Sequence, residues 1–421
     1  MSAKPGASTG IAGRVAKAFL NSKLTPLVTM ASLFVGAIGL IATPREEEPQ
    51  ISVPMIDVFA GLPGASSSEV EQQVIKPLEQ AIWEVPGVEY VYSMAGDGGG
   101  LVTARFAVGA DQTESVAKIH AKVASQMDRW PVGAPPAMVK PHAIDDVPIL
   151  ALTISDEHAE PGVVRQVAAH MAEELRTVPE VAQVFLVGGE PRQVSVRIEP
   201  ARLAATGVTP GEIARALMGA NARLQAGEFA TGNEAVRIDV TSPFTSAADV
   251  GNVTVAVRNG SAIALRDVAA IEDGFAEPTQ YVTTAMKGDT LPRSAVTIAV
   301  AKRPGANATT VAHAAIERIE QSRGRVVPEG MRVDITRDYG ETAAEKASEL
   351  ILHLAIATLS VTLLVWWFLG WREAVVVLVA VPVTLALTLF VYYLMGYTLN
   401  RITLFALIFS IGILVDDAIV V

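Results

Sequence analysis

The sequence predicts a membrane protein of the α+β class, in which transmembrane helices accompany a large soluble part built from split β-α-β units. Three observations support this fold class. The chain of 421 residues has a mean hydropathy of +0.37 and 50% hydrophobic residues, which is too apolar for one ordinary soluble domain. Four apolar runs reach the length of a membrane span, and a helix-and-strand pattern recurs between the first two runs.

Each apolar run meets the requirement of roughly 20 residues for crossing a hydrocarbon core about 30 Å thick. Pro44 and a charged stretch follow the first run, where a signal peptide would have a small-residue cleavage site. The first run is therefore expected to remain as an anchor. We predict transmembrane helices at 24–42, 350–369, 374–395 and 402–421.

Basic residues near the first span predict its orientation. Lys4, Arg14, Lys17 and Lys23 precede this span, with no acidic residue among them. Because positive charge beside a span favours the cytoplasmic side, residues 1–23 are predicted to be cytoplasmic. The large segment between the first and second spans is then predicted to lie outside, on the side of the membrane opposite the cytoplasm.

The composition excludes several classes of protein. A formal net charge of −11 argues against a nucleic-acid-binding surface. The chain has no cysteine, so disulfides, cysteine-based zinc sites and a cysteine nucleophile are excluded. Its six histidines show no metal-ligand spacing, and no nucleophile–base arrangement occurs. An enzyme is therefore not expected, and neither is a bound metal or cofactor.

A repeated unit dominates the segment between the first two spans. Ser66 and Glu69 have the spacing of a capping box at the start of the first predicted helix. Apolar residues then recur every four positions in three helices and predict one buried face in each. These residues are Val70, Val74, Leu78 and Ile82, then Val163, Val167, Met171 and Leu175, then Val311, Ala315 and Ile319. Strands are predicted at 51–59, 89–93, 149–154, 183–187, 295–301 and 331–336.

A block of different character, about 190–275, interrupts the second repeat. It contains short predicted strands at 194–198, 235–240 and 253–258, with one helix at 210–219. The glycine-rich stretch at 97–100 lies between two β-rich runs and predicts a hairpin turn. A phosphate-binding loop is not favoured there, because the strand-to-helix context of such loops is missing.

Asp416 and Asp417 are the most unusual residues, because they lie inside the fourth apolar run. An acidic side chain there costs on the order of 3 kcal/mol on insertion scales, so it needs a partner, a proton or a function. Asp417 shares a helical face with Ser410 and Thr403, which suits packing inside a bundle. Two such close carboxylates cannot both stay charged without a cation, which is the physical basis of a proton carrier. The alternative is a span that ends at Val415, with the acids at the interface.

The sequence G-I-L-V-D-D-A-I-V-V at 412–421 is a highly specific motif. With it, the chain from the first span onward closely resembles the resistance-nodulation-division (RND) inner-membrane efflux transporters, in particular their hydrophobe/amphiphile efflux branch. Further segments carry the resemblance: Pro63-Gly64-Ala65, Pro86-Gly87-Val88, Asn221-Ala222 with Ala226-Gly227, and Leu265-Arg266-Asp267-Val268-Ala269.

The resemblance implies a multi-pass efflux permease driven by the proton motive force, a proton/substrate antiporter without a cofactor. Asp416 and Asp417 match the proton-relay aspartates of the family. Small amphiphilic compounds are expected to leave the periplasm or inner membrane through a tripartite complex. That complex would contain a homotrimer of the transporter, a periplasmic adaptor (membrane fusion) protein and an outer-membrane channel. The implied subdomains are a first porter subdomain at 45–140, a second at 141–189 and 277–340, and an inserted docking subdomain at 190–276.

The family has twelve spans in two related halves, so the resemblance covers an N-terminal part only. No lysine lies in the four predicted spans. The counter-cation for the aspartates is therefore expected from a C-terminal half, either in the same polypeptide or in a separate partner chain.

Two other functions remain open at the level of sequence. One is an RND exporter of a different cargo, such as a lipid or a metal. Methionine ligands in the other half would favour a metal. The second is a non-transporting half-protein, anchored in the membrane, that acts as a periplasmic binding or scaffold module. The scaffold hypothesis predicts that Asp416 and Asp417 are dispensable.

Overall fold

The structure is a computed structural model that describes residues 19, 22–47, 49, 51, 53–142, 146–221, 223–231, 234–241, 243–289 and 291–420. Within these ranges the side chains of 223–226, 236–241, 350, 411–412 and 414–420 are not described. Nearly all of the predicted cytoplasmic segment 1–23 lies outside the described residues.

Thirteen helices occur in the described part of the chain: α1 Leu24–Ala42, α2 Ser67–Val70, α3 Lys76–Trp83, α4 Gln112–Ala124, α5 Pro161–Arg176, α6 Pro200–Thr206, α7 Pro210–Ala220, α8 Ala247–Gly251, α9 Leu265–Val268, α10 Ala308–Ser322, α11 Tyr339–Phe368, α12 Trp371–Leu394 and α13 Arg401–Val420. A π-helical turn, Glu71–Ile75, joins α2 to α3, and a 3-10 turn, Met127–Arg129, follows α4.

The strands are β1 Met55–Gly61, β2 Val88–Gly96, β3 Gly99–Phe106, β4 Met138–His142, β5 Leu150–Ser155, β6 Val181–Val187, β7 Arg192–Ile198, β8 Arg223–Thr231, β9 Glu234–Thr241, β10 Thr254–Arg258, β11 Ser261–Ala264, β12 Ala269–Phe275, β13 Thr283–Thr284, β14 Arg293–Lys302 and β15 Arg332–Asp338.

The first soluble unit is an antiparallel sheet in the order β2-β3-β1-β4, with α2, α3 and α4 packed on one face. This is the strand order of a split β-α-β fold. Asp97 and Gly98 form the predicted hairpin turn between β2 and β3, and Gly98 has a φ of +77° that favours glycine. Asp97 Oδ1 also accepts a hydrogen bond from the backbone N–H of Ser67 at 2.8 Å. The turn therefore caps α2.

The second soluble unit repeats this topology with strand order β6-β14-β5-β15, all pairs antiparallel. Its strands and helices come from two separate stretches of chain, one before and one after the intervening block. Leu152 and Met171 from the first stretch share one core with Ile298 and Ala315 from the second. The second unit is therefore discontinuous in sequence.

The buried helix faces agree with the sequence pattern at all but one position. Val70, Val74, Leu78 and Ile82 are each at most 1% exposed, as predicted. The prediction for Val163 is wrong, because this side chain is 38% exposed while its neighbour Val164 is fully buried. A strict spacing of four residues drifts away from a helix of 3.6 residues per turn, so the face is displaced at the start of α5.

The block between β6 and β14 has its own small core, to which Val208, Ile213, Val250, Leu265 and Val268 contribute. Its strands form three two-stranded pairs, β7 with β12, β8 with β9, and β10 with β11. Because β7 pairs with β12 at the two ends of the block, the chain leaves and rejoins the second unit at neighbouring points.

Glu212 stabilises the start of α7 in this block. Its Oε2 accepts hydrogen bonds from the backbone N–H and the hydroxyl of Thr209 at 2.9 and 3.0 Å. Its Oε1 accepts a hydrogen bond from the Arg258 guanidinium at 2.8 Å. The Arg258 guanidinium, together with the two Thr209 hydrogen bonds, lowers the pKa of Glu212 from 4.5 to about 2.

Glu212→Gln is expected to lower the melting temperature of this block at neutral pH, because an amide cannot replace the ion pair. Since folding lowers the pKa of Glu212, its stabilising effect is full above pH 4.5 and is lost as the pH falls towards about 2. Thermal unfolding measured across pH should therefore show that the difference in melting temperature between the parent and Glu212→Gln becomes smaller below pH 4.5. Glu228→Gln, at an exposed glutamate of β8, is the control. An equal decrease of the difference in melting temperature between the parent and Glu228→Gln would contradict the assignment of this pH dependence to Glu212.

Three helices in the described part of the chain, α1, α11 and α12, are long and apolar enough to cross a membrane. Over Arg401–Ser410, α13 is a shorter apolar helix. The bounds of α1 coincide with the predicted first span, whereas α11 begins at Tyr339, well before the predicted residue 350. Asp338 caps α11, since its Oδ1 accepts a hydrogen bond from the backbone N–H of Glu341 at 2.9 Å. No proline or glycine follows between 341 and 350, so one helix runs from the second unit into the apolar segment.

Two glycines allow α1 to pack tightly on α12. A Cβ atom added at Gly36 would lie 2.2 Å from the Cβ atom of Ala386, and one at Gly39 would lie 2.9 Å from the Cα atom of Phe390. Small residues at such a contact let two helix backbones approach closely in a membrane.

Candidate functional site

Asn400 fixes the start of α13, the helix that carries the aspartate pair. Its side chain is buried, and Oδ1 accepts hydrogen bonds from the backbone N–H groups of Ile402 and Thr403, both at 3.0 Å. Its Nδ2 donates to the hydroxyl oxygen of Thr398 at 3.0 Å. The first turn of α13 is therefore held firmly against the loop that precedes it.

Opposite faces of α13 have different surroundings. Leu404 and Leu407 are buried in a cluster with side chains of α11 and α12. The opposite face is exposed, with 56% to 71% of each apolar side chain accessible, at Ile402, Phe405, Phe409 and Ile413. Large exposed apolar residues on a membrane helix need lipid or another helix as their neighbour.

Asp416 and Asp417 lie in the last part of α13, where the backbone is helical and the side chains are outside the described residues. Asp416 is about 22 Å along the axis from Arg401, at 1.5 Å per residue. With 3.6 residues per turn, positions 416 and 417 fall on the same side of the helix as Phe409 and Ile413. Of these, Phe409 and Ile413 are described, and both are exposed.

The residues predicted to share a face with Asp417 have mixed surroundings. Thr403 and Ser410 are partly buried and Ala406 is exposed, so this stripe follows the edge of the packed face. The Ser410 hydroxyl donates a hydrogen bond to the carbonyl oxygen of Ala406 at 2.7 Å. This bond satisfies the hydroxyl within its own helix, as is common for serine and threonine in apolar surroundings.

A buried ion pair between Glu46 and Lys302 was not predicted. Their Oε1 and Nζ atoms are 2.6 Å apart, and only 4% and 7% of the two side chains is exposed. Glu46 belongs to the acidic run after the first span, and Lys302 is the last residue of β14, directly after the apolar run 298–301. A single lysine at the end of such a strand was the available signal, because a buried lysine is rarely found without a partner.

Within the described ranges, no group of three or more histidine, aspartate or glutamate side chains is placed to hold a metal ion. Several acidic residues of the first unit form local contacts. Asp57, for example, accepts a hydrogen bond from the Thr103 hydroxyl at 2.6 Å and lies 2.9 Å from His142 Nε2.

Comparison with known proteins identifies the relatives of this chain. A family model described as the AcrB/AcrD/AcrF family matches residues 15–421. A curated relative named multidrug resistance protein MdtC, from Erwinia tasmaniensis, is 30% identical over 407 residues. Proteins of the same name from Yersinia enterocolitica and Serratia proteamaculans are each 28% identical, over 404 and 407 residues.

Each of these three alignments covers 94% of this chain and 38% of the relative. The chain thus spans well under half the length of the curated relatives it matches. The relatives carry the names of multidrug resistance proteins, which agrees with the expectation that the chain is not an enzyme. Because the family model matches far more than half of the chain, the chain belongs to the AcrB/AcrD/AcrF family of RND efflux transporters.

Proposed function

We propose that the complete protein is a proton/substrate antiporter of the bacterial inner membrane that exports amphiphilic compounds. The observation that carries this proposal is the adjacent pair Asp416 and Asp417 in α13, a helix that is otherwise apolar after its first residue apart from Thr403 and Ser410. Ionisable residues within a membrane segment are costly, and they mark ion or proton pathways by default.

The energetics support proton coupling. Two neighbouring carboxylates in a low dielectric repel each other strongly, so binding a proton or a nearby cation changes the stability of the surrounding helices. Each elementary charge that crosses a potential of 100 mV supplies about 2.3 kcal/mol. A few protons per cycle are therefore enough to drive the export of a compound against a concentration gradient.

The exposed face of α13 supports a partner helix outside this chain. Positions 416 and 417 fall on the face of Phe409 and Ile413, which the other described helices leave open. A helix from the rest of the protein, carrying a cationic side chain, would cover this face and complete the relay. The apolar spans 24–42, 350–369, 374–395 and 402–421 contain no lysine, so the cation has to come from such a helix or from another source.

We assign the soluble units by the same proposal. The first unit, 45–140, and the discontinuous second unit, 141–189 with 277–340, act as periplasmic porter subdomains. The block at 190–276 acts as a docking subdomain that reaches towards an outer-membrane channel. A homotrimer with a periplasmic adaptor protein would complete the assembly. The discontinuity of the second unit supports this division, because the block folds around a core of its own.

Accumulation of a fluorescent amphiphilic cation tests the proposal. The complete protein and its adaptor are produced in a bacterial strain that lacks its own efflux pumps. Cells with the protein should accumulate less dye than cells without it, and a protonophore should abolish the difference, because it removes the proton motive force. Export that continues unchanged in the presence of the protonophore would exclude proton coupling.

A further inference from the structure

A short stretch after α1 contacts two separate parts of the molecule. We call Thr43–Glu47 the junction segment. On one side it pairs with the loop before α13: the backbone N–H of Leu399 donates to the Pro44 carbonyl at 2.8 Å, and the N–H of Glu46 donates to the Leu399 carbonyl at 3.0 Å. Arg45 and Leu399 thereby form a parallel β-bridge. The junction segment is thus attached to the start of the helix with the aspartate pair.

On its other side the junction segment is attached to the second soluble unit. Glu46 forms the buried ion pair with Lys302, the last residue of β14, at 2.6 Å. The backbone N–H of Ala308, the first residue of α10, donates to the Arg45 carbonyl at 3.2 Å. The first contact is at the end of β14 and the second is at the start of α10.

The burial of the ion pair makes this attachment specific. Side chains that are 4% and 7% exposed are largely removed from water, so the attraction between the two charges is screened only weakly. A sliding movement between Glu46 and Lys302 would leave two buried charges separated in a low dielectric. The pair therefore resists relative movement of the two parts more strongly than an exposed pair does.

This contact provides a direct route between α13 and the second unit. Along the chain, α13 is linked to that unit only through α12 and α11, since α11 begins immediately after β15. The junction segment bypasses both helices. Asn400, which caps α13, directly follows Leu399, so a displacement of the first turn of α13 is passed to Glu46 through two hydrogen bonds.

We propose that Glu46 and Lys302 are positioning residues that hold the periplasmic end of α13 and the second soluble unit together as one moving body. A change in α13 that follows protonation of Asp416 and Asp417 is then transmitted to the second unit. The direction of this transmission rests on the proposed antiport function. The rigid connection itself rests only on the contacts of the junction segment.

Distances between spin labels test the rigid connection. The chain contains no cysteine, so labels can be attached at cysteines introduced for His170 on α5 and Met395 before α13, both exposed. The complete protein is used, with any cysteines elsewhere replaced. The parent should give one narrow distance population. The double variant Glu46→Gln/Lys302→Gln should add a second population or a clear broadening, because two neutral amides replace the charged pair.

Two further variants separate positioning from a general loss of packing. The exchanged pair Glu46→Lys/Lys302→Glu should restore the narrow distribution of the parent, since the attraction is kept. Lys346→Gln/Glu349→Gln is the matched control, because it removes an exposed ion pair of 2.8 Å from α11. This control should leave the distances unchanged. A narrow parent-like distribution in Glu46→Gln/Lys302→Gln would overturn the proposal.

Export assays on the same proteins address the transmission. Glu46→Gln/Lys302→Gln should reduce the proton-driven export rate at least about fivefold, the lower end of couplings between linked sites, and the exchanged pair should recover it. If the parent itself shows no gradient-dependent export, the antiport function fails while the label distances still decide whether the connection is rigid. Unchanged export together with altered distances would overturn the transmission step.

Discussion

Replacing either aspartate of α13 by asparagine is expected to abolish gradient-driven export by the complete protein. Asp416→Asn and Asp417→Asn keep nearly the same side-chain volume and remove the only acidic groups of this helix. Asparagine does not take up a proton in the working range, so the cycle of charging and neutralisation stops. Dye accumulation in cells with each variant should equal that of cells lacking the protein.

Two comparisons make this result specific. Ser410→Ala, in the same helix, removes a hydroxyl that donates a hydrogen bond to Ala406 of that helix, and it should leave export close to that of the parent. Binding of the dye to the purified variants should persist, since the aspartates are proposed to couple protons and not to hold substrate. Full export by both asparagine variants would exclude a proton relay through Asp416 and Asp417.

Gly36→Leu is expected to separate α1 from α12 and to destabilise the complete protein in detergent. A Cβ atom at this position would lie 2.2 Å from the Ala386 Cβ and 2.5 Å from its Cα, so a side chain fits only if a backbone moves. Overpacking of a tight contact costs about 1–3 kcal/mol, and a contact with backbone atoms should fall at the upper end. The melting temperature, followed by size-exclusion chromatography after heating, should fall markedly.

Ala31→Leu is the control for the change at Gly36. Ala31 is an exposed residue of the same helix, so the larger side chain there enters open space or lipid. Its melting temperature should stay near that of the parent. An equal decrease in melting temperature for the two variants would show that a larger side chain anywhere on α1, and not the contact with Ala386, causes the destabilisation.

Local features could be predicted from the sequence because they depend on neighbours along the chain. The helix of the first span begins and ends at Leu24 and Ala42, since a long uncharged run followed by Pro44 and a charged stretch defines it. The capping pair Ser66 and Glu69 is present, with Glu69 Oε2 accepting from the Ser66 backbone N–H at 2.9 Å. The hairpin turn at Asp97 and Gly98 follows from glycine's access to positive φ.

One buried helix position was predicted wrongly because a spacing of four residues was applied too strictly. The spacing of four residues placed Val163 in the core instead of Val164. Apart from hydropathy, no sequence signal indicated a start for the helix of the second predicted span; this helix begins at Tyr339, because helix-forming polar residues continue the same backbone structure ahead of residue 350.

The proton-relay candidates themselves came from composition: two acids in an apolar helix are visible without coordinates. What these candidates face and what they are connected to depends on contacts between residues far apart in the chain. Lys302 meets Glu46 across more than 250 positions, and the open face of α13 follows from how α11 and α12 pack on its other side. Local propensity and hydropathy act over a few residues, whereas burial of a charge depends on the assembled fold, so the junction segment became recognisable only once the helices and sheets had been placed together.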